Sequence, residues 1–446
     1  MAVMATVTTS SMNGKPGFLT AGVPAGFRGR RARCDSARAV WIMVILVLCA
    51  VAAGGAAQAG QAPPLRVGST GDYPPFTYRD PDSGEWSGSD IEMARLLGRA
   101  LGRPVEFVPT TWRSLVADQL AGRFDIAMGG ISVTPERAAV VAFTRPYLTD
   151  GKAPLVRCTD VLHYGTLEEI DRPGVRVVVN PGGTNEQFVR ANLKQASLRV
   201  YPDNLGVHAE IAAGRADVMI TDAIEARLQQ RLRPGLCAVR PESPFNSVPK
   251  AYMFSKDSPL RALVDPWLST AVTQGEVIAA LERALSQDWP GTTPVSAERR
   301  LGLLIDQRLA LMPFVARYKW NRQLAIEDAP RERQLLQQVR ELAAARGQSA
   351  DAAAAFFQAQ MQAAKVVQSE LYAVWRAQVV GQLPGEIDLA SRIRPRLDEL
   401  NGQFLDLLSQ LRLPLARAAL GEITAESQSP DAVAAALAPL LAPEPP

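Results

Sequence analysis

The sequence predicts a two-lobed α/β domain followed by an all-α domain, and three observations carry that expectation. From Leu65 to about Trp289, short β-branched runs alternate with amphipathic helical stretches. A second complete set of strands begins near Gly174, and a late apolar run, Ala251-Tyr252-Met253-Phe254, reads as a strand returning to the first set. After Trp289-Pro290-Gly291 the strand signal stops and helical periodicity alone continues.

The chain has 446 residues, and its first part reads as an address rather than as fold. Arg28, Arg30, Arg31, Arg33 and Arg38 precede an apolar run from Ala39 to Val51, and small residues lead to Ala57-Gln58-Ala59. Charge, then grease, then an A-x-A site is a secretory signal, expected over residues 1–59. The run is too short to span a bilayer well, so cleavage is expected and a retained membrane anchor is not. Translation could start at Met12 or another internal Met. Cys34 and Cys49 leave with the signal. Cys158 and Cys237 remain as an even pair in an oxidising compartment, which points to one disulfide. A net charge of +3 argues against a nucleic-acid surface. His163 and His208 are the only histidines and have no clustered ligands, so neither a metal nor another cofactor is expected.

In the α/β part, Leu65 to Gly68, Val105 to Val108, Asp125 to Met128, Val175 to Val179 and Val218 to Ile220 read as strands, with a helix over Ile91 to Leu101. That alternation suggests parallel sheets. Phe143 to Leu155 leaves the first set, so a cleft between two lobes is the natural place for a small molecule. Three junctions could furnish it. Gly71-Asp72-Tyr73 is a turn presenting an aromatic. Thr134 caps a helix that begins with Pro135 and offers the planar fork of Arg137 to a carboxylate. Asn180-Pro181-Gly182-Gly183-Thr184-Asn185 opens another helix, whose free N–H groups suit an anion. Asp222-Ala223-Ile224-Glu225 has the form of a capping box, which would occupy Glu225 with the N-cap amide.

The strings GDYPPFTY, DIAMGGISVTPER, PYLTDGK, NPGGTNEQF and TDAIEARLQ resemble the periplasmic cyclohexadienyl dehydratases, over about Leu65 to Trp289. Amino-acid-binding relatives share the Gly-Asp-Tyr turn and the Arg, but NPGGTNE with TDAIEAR fits the dehydratases. The resemblance implies a periplasmic-binding-protein-like fold and the removal of water and carbon dioxide from prephenate or arogenate. It makes Glu225 the general acid rather than a cap, with Lys152 near the leaving group. Tyr73, Trp112, Ser132, Arg137, Asn180, Thr184 and Asn185 would bind substrate. Trp112 could instead be core, and Lys152 solvated. The family's two cysteines match Cys158 and Cys237. A ring hydroxyl leaves only once protonated, so a positioned acid is worth ~10²–10⁴ in rate.

In the helical part, Arg308 and Lys319 are read on one helix, three turns plus ~20° apart and ~16 Å along the axis. Asp328 reads as an N-cap with Pro330 in the first turn, Gln368 lies on a later helix, and Arg394 opens the next. Each alone would pass for a solvated charge. The spacing R-x10-K-W, IED-x2-R-E, AAK-x2-Q and R-P-x-L-D-x-L-N resembles the secreted all-helical chorismate mutases, over about Val295 to Leu411. That resemblance implies that Arg308, Arg331 and Arg394 hold carboxylates. Lys319 and Gln368 would donate to the ether oxygen, and Asp328 and Glu332 would orient these or the ring hydroxyl. Ala364 departs from the pattern where some members carry Ser or Thr, and Arg394 is preferred to nearby Arg392 by register.

The expected organisation is therefore a signal over 1–59, a dehydratase over 64–290, an all-α chorismate mutase over 295–415 and a C-terminal helix and tail over 416–446, the last residues being expected to fray. A mutase would make prephenate for the preceding domain to consume, as in phenylalanine biosynthesis. Small-molecule substrates are the expected partners, chorismate and prephenate or arogenate, with no nucleic acid and no membrane after cleavage. A homo-oligomer is left open. The alternative is an amino-acid receptor with a helical partner module; a sensor ectodomain would need a downstream membrane span.

Overall fold

The computed structural model describes residues 62–442, apart from 234, 290, 291, 293, 294 and 425–429. The signal reading, with Cys34 and Cys49, lies outside the described residues. No helix among the described residues is long and apolar enough to cross a membrane.

Two five-stranded sheets form the two lobes. The first runs in the order Val105–Pro109, Leu65–Ser69, Ile126–Ala127, Met253–Phe254 and Ala142–Phe143. The second runs Ser197–Val200, Arg176–Val179, Val218–Asp222, Lys152–Arg157 and Leu236–Ala238. Pairing within the first three strands of each is parallel. The late strand does return to the first sheet, antiparallel to Ile126–Ala127. The chain therefore crosses between lobes twice, and the crossings pair with each other as Leu148–Asp150 and Val248–Lys250. The two crossings thus form a two-stranded antiparallel ribbon between the lobes.

The first lobe is held by burial of a periodic face. On the Ser89–Leu101 helix, Met93, Ala94 and Leu97 are wholly buried in one cluster with Leu65, Val67 and Ile126, and Ile91 is wholly buried too. Full burial of such side chains stabilises by roughly 1.5–3 kcal/mol each. Asp90, on the same helix, is also buried and accepts from Gly130 N at 2.6 Å and Tyr147 Oη at 2.7 Å. Gly130 has φ +63°, and a Cβ there would stand 2.7 Å from the rings of Phe76 and Tyr73. Only glycine lets that backbone lie against these two rings.

After Trp289 every described element is helical: Ala297–Ala310, Met312–Asn321, Ala329–Ala345, Ala350–Ala377, Leu389–Ile393 continuing as Arg394–Leu408, Ala419–Thr424, Pro430–Leu437 and Ala438–Leu440. The helix expected to carry both Arg308 and Lys319 is two, broken at Leu311, with Pro313 in the first turn of the second. The Leu389–Ile393 turn is a π-helix capped by Asp388, whose Oδ1 accepts from Ser391 N at 2.7 Å. As far as residue 442, the end expected to fray is packed: Val433, Leu437 and Leu440 are buried, and Gln360 donates to the Ala436 carbonyl at 3.1 Å. The Ala419–Thr424 helix approaches Gly302 so closely that a Cβ there would stand 2.2 Å from the Ile423 carbonyl oxygen.

The helical domain and the second lobe share one core. Val156, Leu162, Ile170 and Val177 belong to the same buried cluster as Leu301, Phe356, Ile393 and Phe404. Arg392, rejected by register as a ligand, seals this junction: it binds Glu169 at 2.7 Å and the Leu162 carbonyl at 2.9 Å. The Cys158–Cys237 disulfide, S–S 2.10 Å, is beside it, and Arg396 Nη2 lies 3.2 Å from Cys237 Sγ.

Candidate active sites

The three junctions read from sequence converge on one cavity between the lobes. Tyr73, Trp112, Gly130, Ser132, Arg137, Asn180, Gly183, Thr184, Asn185 and Asp222 line it. Thr134 caps its helix as expected, accepting from Arg137 N at 3.3 Å, and Pro135 follows. Arg137 then bends back to donate to the Ser132 carbonyl at 2.9 Å, and burial pulls its guanidinium below its ordinary value. All seven residues expected to bind substrate thus line one cavity, from both lobes.

The charge at the centre of the site is Asp222, which the capping-box reading placed elsewhere. Its side chain caps nothing. Lys152 Nζ binds Oδ1 at 2.6 Å, Lys250 Nζ binds Oδ2 at 2.7 Å, and Tyr73 Oη donates to Oδ2 from across the cleft. Burial alone would raise the Asp222 carboxyl, but the two ammonium groups hold it well below the usual carboxylate range. Lys152 also donates to Thr184 at 2.9 Å and to Asn185 Oδ1, so it is buried rather than solvated. Burial lowers Lys152, and Asp222 opposes that. A second bridge across the cleft runs from Asn204 to the Asp72 carbonyl at 2.7 Å, while Asp72 Oδ1 accepts from Trp112 at 3.0 Å.

Glu225 stands behind this wall, nearly fully buried. Thr221 Oγ1 donates to its Oε2, and His208 Nε2 lies 3.2 Å from its Oε1. Thr221 in turn accepts from Asn185 Nδ2 at 3.0 Å, which joins Glu225 to the lining. The carboxyl makes none of the capping bonds that the local sequence allows. Lys250, His208, Thr221 and Asp222 went unassigned in the sequence. Of these only Asp222 had a signal, and it was the wrong one.

The helical domain holds a second cavity, of about 780 Å³. Arg308, Lys319, Asp328, Arg331, Glu332, Gln368 and Arg394 all line it, although they come from five helices and the cap of one of them. Asp328 is the expected N-cap, accepting from Arg331 N at 3.2 Å. Arg308 Nη1 donates to Asn401 at 2.9 Å, and burial pushes its guanidinium down to about 10. Lys319 Nζ donates to the Ile326 carbonyl at 2.6 Å. Its ammonium is lowered by burial, with Asp328 and Glu332 opposing. Gln368 donates to the Ala364 carbonyl at 3.1 Å, and its buried Oε1 has no partner among the described residues. Three charged or polar lining residues were missed: Lys365, Asp398 and Asn401. Lys365 binds Glu332 at 3.1 Å and precedes Gln368 by three residues, hence on the same helix face. Asn401 lies seven residues, two turns, beyond Arg394. Neither cavity needs a metal for the bonds just described, and no group of three or more metal-ligating side chains occurs among the described residues.

Comparison with known proteins places both halves. Residues 65–287 match the model of the bacterial extracellular solute-binding proteins, family 3, and residues 297–369 match chorismate mutase type II. A cyclohexadienyl dehydratase of Pseudomonas aeruginosa is 49% identical over 226 residues, which cover 51% of this chain and 84% of that protein. The L-cystine-binding protein of Escherichia coli K12 is 29% identical over 163 residues, 36% of this chain and 60% of that one. Among solved structures, an ancestral cyclohexadienyl dehydratase is 50% identical, covering 50% of this chain and 92% of its own, with a TM-score of 0.32. An ancestral amino-acid-binding protein described as a precursor of cyclohexadienyl dehydratase is 32% identical, covering 54% and 99%, with a TM-score of 0.46. The chain therefore belongs to the bacterial extracellular solute-binding proteins of family 3, alongside the cyclohexadienyl dehydratases, and carries a type II chorismate mutase domain in the same polypeptide.

Proposed function

We propose that this chain is a bifunctional enzyme of phenylalanine biosynthesis, turning chorismate into prephenate in its helical domain and prephenate or arogenate into phenylpyruvate or phenylalanine in its cleft. One observation carries the reading: the seven charged and polar residues expected from the sequence, on five helices and the cap of one of them, line a single cavity, in a chain whose other half is 49% identical to a cyclohexadienyl dehydratase.

The rearrangement breaks the ether C–O bond as a C–C bond forms in the same molecule, so no proton need move. What lowers the barrier is holding the chair conformer and stabilising charge on the ether oxygen. Arg308, Arg331 and Arg394 hold the two carboxylates, and Lys319 and Gln368 donate to that oxygen. Asp328 and Glu332 orient the donors, and Lys365 keeps Glu332 in place. Arg308 remains cationic at neutral pH despite its burial, because its pKa is still about 10.

In the cleft, Arg137 and the Asn180–Asn185 helix N-terminus receive the substrate's carboxylates. Glu225 gives a proton to the ring hydroxyl, which leaves as water. The ring carboxylate leaves as carbon dioxide, and its bonding pair completes the aromatic ring. The net reaction consumes one proton, which Glu225 recovers from solvent. Lys152, fixed by Asp222, Thr184 and Asn185, supplies positive charge beside the departing groups. The runner-up receptor reading gives Glu225, Lys319 and Gln368 no task. Export of the mature chain to the periplasm completes the proposal, supported by the N-terminal pattern and by the company of extracellular binding proteins.

The test is to incubate the mature chain with chorismate, prephenate and arogenate in separate reactions and identify the products. Phenylpyruvate from chorismate is the expected result; binding without turnover would return the chain to the receptor reading.

A further inference from the structure

A third cavity, of about 890 Å³, lies where the second lobe meets the helical domain, and neither reaction uses it. Arg231 enters it from the Ala223–Leu232 helix and Arg300 from the Ala297–Ala310 helix. Leu303, Leu304, Leu407 and Val295 supply an apolar wall.

The two guanidiniums are poorly compensated. Arg231 donates to the Gln287 carbonyl, its nearest carboxylate is Asp288 at 4.0 Å, and its Nε is buried with no partner among the described residues. Arg300 donates to Gln410 at a long 3.5 Å, and no ion pair to it occurs among the described residues. The other charges on the wall are already spoken for: Arg227 pairs with Glu242 at 2.6 Å, and Asp406 with Arg346 at 2.9 Å. Burial pulls both arginines below their ordinary values, and the charge of Arg300 lowers Arg231 further. Holding two like charges beside one cavity is unfavourable unless something anionic sits between them.

We propose that this cavity is a binding site for a small organic monoanion, with its carboxylate between Arg231 and Arg300 and its apolar body against Leu303, Leu304 and Leu407. Two cations select a carboxylate, which can take bidentate bonds from a guanidinium. They select against a zwitterion, whose ammonium would add a third positive charge. An aryl 2-oxo acid or aryl propionate fits both demands, whereas an amino acid with the same ring does not. That the natural ligand is the chain's own aromatic product rests on the function proposed above; the binding chemistry does not.

The experiment is a calorimetric titration of the full mature chain with 3-phenylpropionate at low ionic strength, repeated with phenylalanine and with inorganic phosphate. The dehydratase cleft is expected to contribute its own binding event. A further event should weaken at least 10-fold in Arg300→Gln and in Arg231→Gln, while turnover without probe stays unchanged in both. For that event phenylalanine and phosphate should each bind at least 10-fold more weakly than 3-phenylpropionate. The ligand-free Arg300→Gln protein should unfold at the same temperature as the parent or higher, because one uncompensated charge is gone. Identical isotherms in parent and variants would overturn the site, as would a marked loss of stability in ligand-free Arg300→Gln, which would make Arg300 a structural tie. Equal binding of phosphate would overturn the apolar part of the ligand. A chain that binds the probe but converts no chorismate would sink the proposed function and leave this site standing.

Discussion

His208 Nε2 lies 3.2 Å from Glu225 Oε1, with both side chains only 2% exposed. The imidazole and the Thr221 hydroxyl therefore hold one carboxyl oxygen each. Such a clamp fixes where Glu225 can place a proton, and His208 acts as a positioning residue.

His208→Ala should lower dehydratase kcat roughly 10- to 100-fold, the scale on which misplacing a catalytic group is felt. KM should change little, and the mutase rate should not move. A uniform loss of both activities would make His208 a packing residue.

Glu225→Gln keeps the side chain's size and one acceptor for Thr221 but carries no acidic proton. Dehydratase turnover should fall on the order of 10²-fold or more, and chorismate should accumulate as prephenate. Near-normal phenylpyruvate formation by the folded variant would remove Glu225 from the mechanism.

Lys319 gives a pH signature to the other half. Burial lowers its ammonium below the ordinary 10.5, so it loses its charge as pH rises through that lowered value. Mutase kcat/KM should therefore decline on the alkaline side at a pH below 10.5. A bound dianion favours the ammonium, so kcat should hold to higher pH than kcat/KM. Lys319→Ala should cost on the order of 10²–10³ in mutase kcat and leave prephenate dehydration intact. An unchanged alkaline limb in a variant with residual activity would assign the limb to another group.

Mass spectrometry of unreduced peptides should find Cys158 joined to Cys237. Replacing both with Ser should cost ~2–5 kcal/mol of stability, and because the bridge lies in the core shared by lobe and helices, heat should then inactivate both activities together. Loss of the dehydratase alone on heating would show that the two halves unfold separately.

What the sequence could and could not reveal follows from where each partner lies. Asp328 as a cap, Thr134 before Pro135 and the spacing from Arg308 to Arg394 are local or periodic, and they were legible. The break between Arg308 and Lys319 was missed, although Pro313, which cannot continue a helix interior, marks it. Asp222 was read as part of a capping box because its three following residues allow one. Its true partners, Lys152 and Lys250, are 70 and 28 residues away. Arg392 finds Glu169 at a separation of 223 residues. Such pairings depend on how the lobes and helices pack, and no window of sequence contains them.

The junction around Leu162 and His163, where Arg392 and Phe314 close over the second lobe, also bears on the chain's history. Two tethered enzymes could part at any cut in their linker, and each would keep its own surface. Here a cut would uncover apolar side chains on both fragments, so fission would first require each newly bared face to be rewritten in polar residues. The fusion thus works as a ratchet: easy to keep, costly to reverse.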